Sequence, residues 1–334
     1  MNSPMKKSEE SYIGWLKLYN RLNLSEVGLK NAVLGEMKQS GLPVPPGFFL
    51  TTEAFEEVLG YNNIKDRIHG ILSRLNPDQL EAMDQASQDI RKMIEFNGIP
   101  SELESLIINR YHFFSQHHSE ETEMPVSVRA SPVIQDRADM FLGGLFESFP
   151  WVKGGGVMPS VLKCWMSLFS PMALKTFLKS GISLGKISIS VCIQQFVNIK
   201  SAGSIFTVNR EDQDATKIII EGNWGFGERP FTGDDEGDHW LLDKSTLEII
   251  ESEIRAKKRE HIVDPERGAL LQVEVDPDRQ AIPCLNHDEV VEIAKLGRVI
   301  ELHFGKVEEI EWAVERNSPF PENIFLLQCR LGDR

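Results

Sequence analysis

The sequence predicts an α+β protein made of two lobes. Apolar residues recur at helical spacing through most of the first half of the chain, whereas short runs rich in β-branched residues dominate the second half. A chain of 334 residues is long enough for two lobes that each bury a core. These observations predict a helix-rich lobe over residues 1–185, a strand-rich lobe over residues 186–334, and a cleft between them.

Glycine and proline delimit the helices of the first half. Residues 28–40 are predicted as one helix, because Gly41 and a cluster of prolines stop it. Thr51 or Thr52 is suited to cap a helix that runs through Val58. The remaining predicted elements are two helical blocks within residues 77–119, split near Gly98 and Pro100, a helix over 160–179, and a short buried strand at 126–129.

The second half reads as a series of strands with one amphipathic helix. Strands are predicted at residues 187–197, 203–208, 217–221, 269–275, 307–312 and 324–329. The helix is predicted over residues 288–304.

Composition narrows the class of protein. The formal charge of −14 opposes general binding of nucleic acid, whose phosphates an acidic surface repels. No signal peptide is evident behind the first lysines, and no apolar run of about 18 residues is present to span a bilayer. Four scattered cysteines without metal-type spacing agree with a reducing compartment. We therefore expect a cytoplasmic protein that binds neither nucleic acid nor membrane.

Two basic residues are placed where phosphate groups are often bound. Lys30 begins a helical pattern just after a glycine, and a cation at a helix N-terminus favours phosphate oxygens. Arg129 ends a hydrophobic strand, where its guanidinium could form a fixed fork for phosphate or carboxylate. A solvated lysine and a surface arginine beside a structural turn are the alternatives for these positions.

The loop after Arg129 and the strand near residue 194 add polar candidates. Gly143 and Gly144 allow the backbone to approach a ligand closely, and Ser148 could donate a hydroxyl hydrogen bond. Strand alternation places Gln194 and Gln195 on opposite faces, so one of them is expected to face a polar cavity. A sheet with one wet face is the alternative explanation.

The last two predicted strands carry a possible metal and phosphate site. Glu309 and Glu311 share one face of the first strand, and Gln328 and Arg330 share one face of the second. If these strands pair, carboxylate and amide oxygens meet a guanidinium, as a magnesium nucleotide requires. A surface ion pair at a sheet edge is the alternative.

Seven segments together resemble the ATP-grasp domain of the phosphoenolpyruvate synthase, pyruvate phosphate dikinase and rifampicin phosphotransferase superfamily. GLKNAVLGEM followed by GLPVPPGFFLT resembles GGKGANLGEM followed by GLPVPPGFVIT, and VSVRAS resembles VAVRSS. GGLFESF, CWMSLF, GSIFT and WGFGE are similar to AGQFESF, CWASLF, GVMFT and WGLGE, and the end of the chain resembles IEKHYG, DIEWA and ILQAR. The matches keep family order from about Val27 to Arg330.

The resemblance implies ATP and Mg²⁺ as ligands and assigns roles by position. Lys30 and Arg129 would contact the ATP phosphates, while Gly144 and Ser148 would lie in the loop that closes over them. Gln194 would lie beside the adenine. Glu311 and Gln328 would hold Mg²⁺-ATP, and Arg330 would stabilise the phosphate being transferred. Arg129 and Arg330 are thus the implied catalytic residues, and Glu228 has a less defined role.

The chain departs from the family pattern in the loop region. Ala130 replaces the first serine after the arginine, Gln135 stands at an acidic position, and Leu145 replaces the glutamine before FES. RPFTGD follows WGFGE in place of the family's usual run. These changes bear on loop closure and metal affinity.

None of the eight histidines has the family's phosphocarrier setting of a glycine pair and a hydroxyl residue before the histidine. We therefore expect no phosphohistidine domain and no phosphoenolpyruvate/pyruvate-binding barrel in this sequence. The first hypothesis is the ATP-binding subunit of a split phosphotransferase, of pyruvate, water dikinase or phenylphosphate synthase type, with the histidine on a partner subunit. The alternatives are a nucleotide-binding regulatory module with little turnover and a fragment of a larger protein. The final acceptor is left open.

Overall fold

The computed structural model describes residues 8–76, 80–119, 122–134, 144–209, 214–226 and 237–332. The chain divides into two compact units. The first unit comprises Met1–Glu36 and Pro46–Phe196, and the second comprises Met37–Pro45 and Val197–Arg334. Both combine helices with antiparallel sheet, so the mixed α+β class is observed.

The first unit contains a five-stranded antiparallel sheet and most of the helices. Its elements are α1 Glu9–Tyr12, β1 Ile13–Trp15, α2 Leu24–Gln39, β2 Gly47–Leu50, α3 Thr52–Gly60, α4 Ile64–Leu72, α5 Leu80–Asn97, α6 Ser101–His118, β3 Val126–Ile134, β4 Ser148–Val152, α7 Val157–Ser167, α8 Pro171–Lys179 and β5 Ile187–Gln195. The strand order is β1-β2-β5-β3-β4.

The core of the first unit lies around β5. This strand is buried along nearly its whole length, which explains its continuous apolar sequence. Trp165 of α7 is fully buried and lies 6.2 Å from the ring of Phe55 in α3. The helices thus seal the central strands, which are the strands that carry Arg129 and Gln194.

The second unit contains a six-stranded antiparallel sheet and a separate two-stranded ribbon. Its elements are β6 Ile199–Phe206, β7 Lys217–Trp224, β8 Asp238–Asp243, β9 Ile249–Glu253, β10 Arg259–Asp264, β11 Ala269–Glu274, α9 Pro277–Gln280, α10 His287–Phe304, β12 Val307–Glu315 and β13 Ile324–Leu331. The strand order is β13-β12-β6-β7-β8-β9, and β10 pairs with β11.

Helix α10 covers one face of the six-stranded sheet. Asn286 and Glu289 form a capping box that fixes its start, and Gly305 follows its end with a positive φ of 85°. A Cβ at Gly297 would lie 2.9 Å from Ile205 of β6, so helix and sheet approach closely at this glycine. Ile310 of β12 is fully buried, as expected for the covered face.

The structure corrects several predicted boundaries. The division at 185/186 places β5 in the second lobe, but β5 pairs with β2 and β3 and therefore belongs to the first unit. The strand predicted at 126–129 extends to Ile134, because its outer half also pairs with β5. Thr51 precedes α3, but its hydroxyl donates to the carbonyl oxygen of Ser11 rather than capping the helix.

The single helix predicted over 160–179 is two helices, α7 and α8. Ser170 caps α8 by accepting a hydrogen bond from the amide of Ala173, and Pro171 occupies its first turn. The stretch Gly154–Lys179 has a mean hydropathy of 1.2, enough to pass a length-and-composition test for a membrane span, with 61% of its window buried. Packing of Trp165 and Phe177 in the core accounts for this apolar composition.

Candidate functional site

Gly28 brings the start of α2 close to the end of β3. Its φ of 76° and ψ of 162° interrupt the helix, and a Cβ there would lie 2.7 Å from the carbonyl oxygen of Pro132. Ser190 of β5 donates to the carbonyl of Val27 at 2.6 Å and accepts from the Asn31 amide at 2.8 Å. The regular part of α2, which begins with Lys30 in its first turn, is therefore docked on the sheet.

Lys30 and Arg129 converge on Cys192 of β5. Arg129 lies directly opposite Cys192 in the β3–β5 ladder. Burial raises the pKa of the Cys192 thiol to about 12, although the charges of Arg129 and Lys30 both act to lower it. Both charges are therefore close enough to Cys192 to act on its thiol. Phosphate binding by the pair stays a prediction.

Ser148 lies on the other side of Arg129. It begins β4, it is exposed, and it is the register partner of Arg129 in the β3–β4 ladder. Gly144 has a positive φ of 75° with open space around its α-carbon, so a side chain there would be strained rather than crowded. Gly143 and Gln135 lie outside the described residues.

Gln194 is the inward-facing member of the glutamine pair. Its side chain is buried, whereas Gln195 is half-buried at the end of β5. Gln194 is the register partner of Gly47 in β2 and of Ser127 in β3. A Cβ at Gly47 would lie 2.9 Å from the α-carbon of Gln194, so the two strands approach closely here. The expected adenine contact stays a prediction.

In the second unit, β12 and β13 pair in the register that the sequence pattern needs. Glu311 lies opposite Gln328, and Glu309 lies opposite Arg330. Register partners in a sheet project to the same face. Two carboxylates, an amide and a guanidinium therefore share one patch on the face of the sheet away from Ile310.

The polar patch continues onto β6 and β7. Ser204 of β6 is the partner of Glu311, and it donates a hydrogen bond of 2.8 Å to Glu309. Glu221 of β7 is the next register partner along the same row. Bulges on both sides of the Glu309–Glu311 segment interrupt the β12–β13 register, a feature that re-aims side chains near functional sites.

Arg330 has a defined carboxylate partner. Its Nε lies 2.6 Å from Oε2 of Glu308, and both side chains are about two-fifths exposed. Glu308 lies within the first bulge, where it has no register partner in β13. The ion pair fixes the direction of the guanidinium at the edge of the patch.

An apolar patch adjoins the polar one on the same face. Ala202 precedes Ser204 by two residues and Ala313 follows Glu311 by two, so strand alternation places all four on one face. Val197, Ile199, Ala202 and Ala313 form a small buried cluster with Phe226, Phe325 and Leu327 packed against it. This face of the sheet thus changes from apolar to oxygen-rich within two residues of each strand.

Glu311 and Gln328 fit a magnesium ion that is only partly held by protein. Among the residues that the structure describes, no group of three or more His, Cys, Asp or Glu is placed to hold a metal. Mg²⁺ bound with substrate phosphates commonly takes one or two protein carboxylates and completes its six ligands with phosphate oxygens and water. The oxygen donors of Glu311 and Gln328 match that mode.

The predicted site residues fall into two groups. Lys30, Arg129 and Ser148 cluster in the first unit with Gly144 and Gln194 on the adjoining loop and strand, whereas Glu311, Gln328 and Arg330 cluster in the second. Sequence reasoning missed Ser204 and Glu308. The alternation of GSIFT could have assigned Ser204 to a polar face, but a bulge such as the one at Glu308 has no clear sequence signal. Glu228 lies outside the described part of the chain.

Comparison with known proteins identifies the family of the chain. The family model described as "Pyruvate phosphate dikinase, AMP/ATP-binding domain" matches residues 24–334. The chain is 32% identical to the "Probable phosphoenolpyruvate synthase" of Staphylothermus marinus, over 97% of this chain and 41% of that protein. It is 34% identical to the protein of the same name from Methanocaldococcus jannaschii, over 97% of this chain and 27% of the relative.

A third relative is the "Phosphoenolpyruvate synthase" of Pyrococcus furiosus, 29% identical over 96% of this chain and 43% of the relative. The chain thus spans less than half the length of these curated relatives. The matched segment is their ATP-binding part, and the seven sequence motifs lie within it. The chain belongs to the pyruvate phosphate dikinase AMP/ATP-binding domain family.

Proposed function

We propose that this chain binds Mg²⁺-ATP and transfers a phosphoryl group from it to a histidine on a partner subunit. The observation that carries the proposal is the β12–β13 register, which sets Glu311 against Gln328 and Glu309 against Arg330. Oxygen ligands for a metal and a cation for a phosphate are the two requirements of a phosphoryl-transfer site, and this pairing supplies both in one patch.

The first unit supplies phosphate binding in this proposal. Lys30 acts as a point charge in the first turn of α2, where the helix dipole also favours anions. Arg129 adds a planar fork of donors, and Ser148, its neighbour across the ladder, adds a hydroxyl donor. Gly144 allows the loop backbone to close on the phosphates, and Gln194 reads the adenine edge.

The second unit supplies the charge at the transferred group. Glu311 and Gln328 hold the metal, which, when bound, neutralises charge on the phosphate oxygens. Arg330 stabilises charge on the phosphate that departs or transfers, and Glu308 holds its guanidinium in place. Ser204 orients Glu309 beside it. The two groups of residues are proposed to act on one nucleotide.

The acceptor is proposed to lie outside these residues. His117 and His118 each hydrogen bond a carbonyl of their own helix, at 2.7 Å and 3.1 Å, as surface histidines at a helix end do. The relatives named phosphoenolpyruvate synthase are more than twice as long as this chain. We therefore propose that a partner protein carries the phosphorylated histidine and the acceptor pocket. We also propose that the chain acts in the cytoplasm.

Nucleotide binding is tested by calorimetry with Mg²⁺-ATP. We expect Arg129→Ala and Glu311→Gln each to weaken binding by about tenfold or more, since charge-assisted hydrogen bonds contribute about 1.5–3 kcal/mol. Arg67→Ala and Glu322→Gln, at exposed positions of the same two units, are the matched controls and should bind as the wild type does. Equal affinity in all five proteins would refute the assignment of the site.

Transfer is tested with ATP labelled in its β- and γ-phosphates and a co-encoded histidine-bearing protein. The expected product is an acid-labile, base-stable label on that protein. Arg330→Ala should bind the nucleotide but lose transfer. Tight binding without any transfer, together with an Arg330→Ala variant that preserves the biological output, would favour a regulatory nucleotide-binding module instead.

A further inference from the structure

The first unit has an open cavity of about 540 Å³ that the proposed nucleotide site does not use. Residues of α5, α7 and the start of β4 line it. Gln88, Arg91, Lys92 and Glu95 contribute from α5, and their spacing places them on one helix face. The volume lies in the range of sites for small organic ligands.

The lining is locally cationic in an acidic protein. Arg91, Lys92 and Lys163 meet two carboxylates, Glu95 and Glu147, in a chain whose formal charge is −14. Within the described residues, none of these three cations lies within salt-bridge distance of a carboxylate. An excess of unpaired positive charge in a concave surface attracts anions.

The wall contributed by β4 and α7 is apolar. Phe149 and Met166 line it, and the Lys163 ammonium lies 5.7 Å from the centre of the Phe149 ring. The ring holds this lysine over the apolar surface by a cation–π contact. A ligand here would therefore meet charge on one side and an aromatic and a thioether surface on the other.

The cavity is separate from the proposed phosphate group of Ser148 and Arg129. Side chains alternate along a strand, so Glu147 and Phe149 project to the face of β4 opposite Ser148. Glu147 continues the ladder, because its carbonyl accepts from the amide of Ala130. The cavity thus lies on the opposite side of the strand from Arg129's register partner.

We propose that this cavity binds a small organic anion, in which a phosphate or carboxylate group is attached to an apolar body. The anionic group contacts Arg91 and Lys163, and the apolar body rests on Phe149 and Met166. Because the lining has a cationic side and an apolar side, a bare inorganic ion is not its preferred ligand, since such an ion leaves the apolar wall uncovered. Neutral aromatics are not preferred either, because they leave the cations unpaired.

The test is calorimetry with benzyl phosphate, compared with benzyl alcohol and inorganic phosphate. We expect saturable binding of benzyl phosphate with a Kd of about 1 mM or tighter, and weaker or no binding of the other two. The double variant Arg91→Gln/Lys163→Gln should weaken the binding of benzyl phosphate by about tenfold, as expected for the loss of two charge contacts that are open to solvent screening.

Two controls locate the binding. Lys175→Gln/Lys179→Gln removes the same charge from α8, outside the cavity, and should leave the affinity unchanged. Arg129→Ala should also leave it unchanged, whereas a loss there would place the ligand in the proposed nucleotide site. No saturable binding, or equal binding by the Arg91/Lys163 variant, would overturn the proposal without touching the nucleotide-binding one.

Discussion

Gly28 shows how one residue sets the position of the candidate phosphate group. Its backbone has a φ of 76° and a ψ of 162°, a combination that only glycine adopts without strain. The same glycine leaves room for the carbonyl of Pro132 and the hydroxyl of Ser131, each 2.7 Å from where a Cβ would lie. Lys30 follows two residues later, so the backbone conformation of Gly28 determines where the Lys30 side chain leaves the helix.

We predict that Gly28→Ala lowers the free energy of unfolding by about 3 kcal/mol. The loss is the sum of backbone strain and of a steric clash between the new Cβ and the Pro132 carbonyl, which is backbone and cannot move aside easily. Gly41→Ala is the matched control, because Gly41 also has a positive φ, 79°, but has no atom within 4 Å of an added Cβ. It should lose only about 1–2 kcal/mol. Urea unfolding of the three proteins measures both values, and equal losses would show that the close approach at Gly28 has no energetic weight.

The connection between elements of the second unit depends on a buried ion pair. Asp238 begins β8 and Lys257 follows β9, and both side chains are fully buried. Asp238 also accepts from the amides of Arg255 at 3.1 Å and Cys284 at 2.7 Å. One carboxylate therefore joins the first residue of a strand to the segments that lead into β10 and α10.

We predict that Lys257→Met destabilises the protein by about 3–5 kcal/mol, since it leaves the Asp238 carboxylate buried without its cation. The double variant Lys257→Met/Asp238→Asn should recover part of that loss because no charge is left unpaired. Arg267→Met, which removes an exposed partner of Asp264, should change stability by about 0.5 kcal/mol at most. Thermal or urea unfolding distinguishes the three, and a small effect of Lys257→Met would contradict the argument.

At the scale of the whole molecule, the sequence predicted local periodicity well and long-range pairing poorly. The alternation of Glu309, Glu311, Gln328 and Arg330 was readable because it depends only on the two-residue repeat of a strand. The sequence did not predict that β5 belongs to the first unit, since its partners β2 and β3 are remote in sequence. Its apolar sequence indicates burial on both faces but does not say between which strands.

The same limit applies to the polar patch. Ser204 and Glu308 act through cross-strand register and a bulge, and neither is fixed by local residue preference. Position and chemistry indicated Lys30 and Arg129 as possible phosphate ligands, and the resemblance then assigned them to the ATP phosphates. The pairing of Arg129 with Cys192, and the action of the Lys30 charge on the same thiol, are structural observations that no spacing rule supplies.

The response of the whole molecule to alkaline pH follows from thiols and tyrosines that hold their protons more tightly in the folded state. The thiols of Cys164 and Cys284 are two of them, since burial raises the pKa of each above its ordinary value. Burial is the largest cause in each case, and it raises the pKa of Cys192 from 9.0 to about 12 and that of Tyr19 from 10.0 to about 12. Tyr12 also rises to about 12, with help from its hydrogen bond to Glu57. As pH rises, the unfolded chain loses these protons first, so folding becomes less favourable.

We therefore predict that these groups leave stability nearly constant well below pH 9. Stability should decline around and above pH 9 as the thiols of Cys164, Cys192 and Cys284 ionise in the unfolded chain, and decline more steeply from pH 10 as the tyrosines join. Cys192 can contribute at most about 1.4 kcal/mol per pH unit within its window. Cys192→Ala should make the decline between pH 9 and 10 shallower without abolishing it, because Cys164 and Cys284 titrate in the same window of the unfolded chain, and it should leave the later decline unchanged. Urea midpoints measured across this range test the order. A wild-type midpoint that stays constant up to pH 11, or a Cys192→Ala variant that declines as steeply as the wild type between pH 9 and 10, would contradict the burial of the Cys192 thiol.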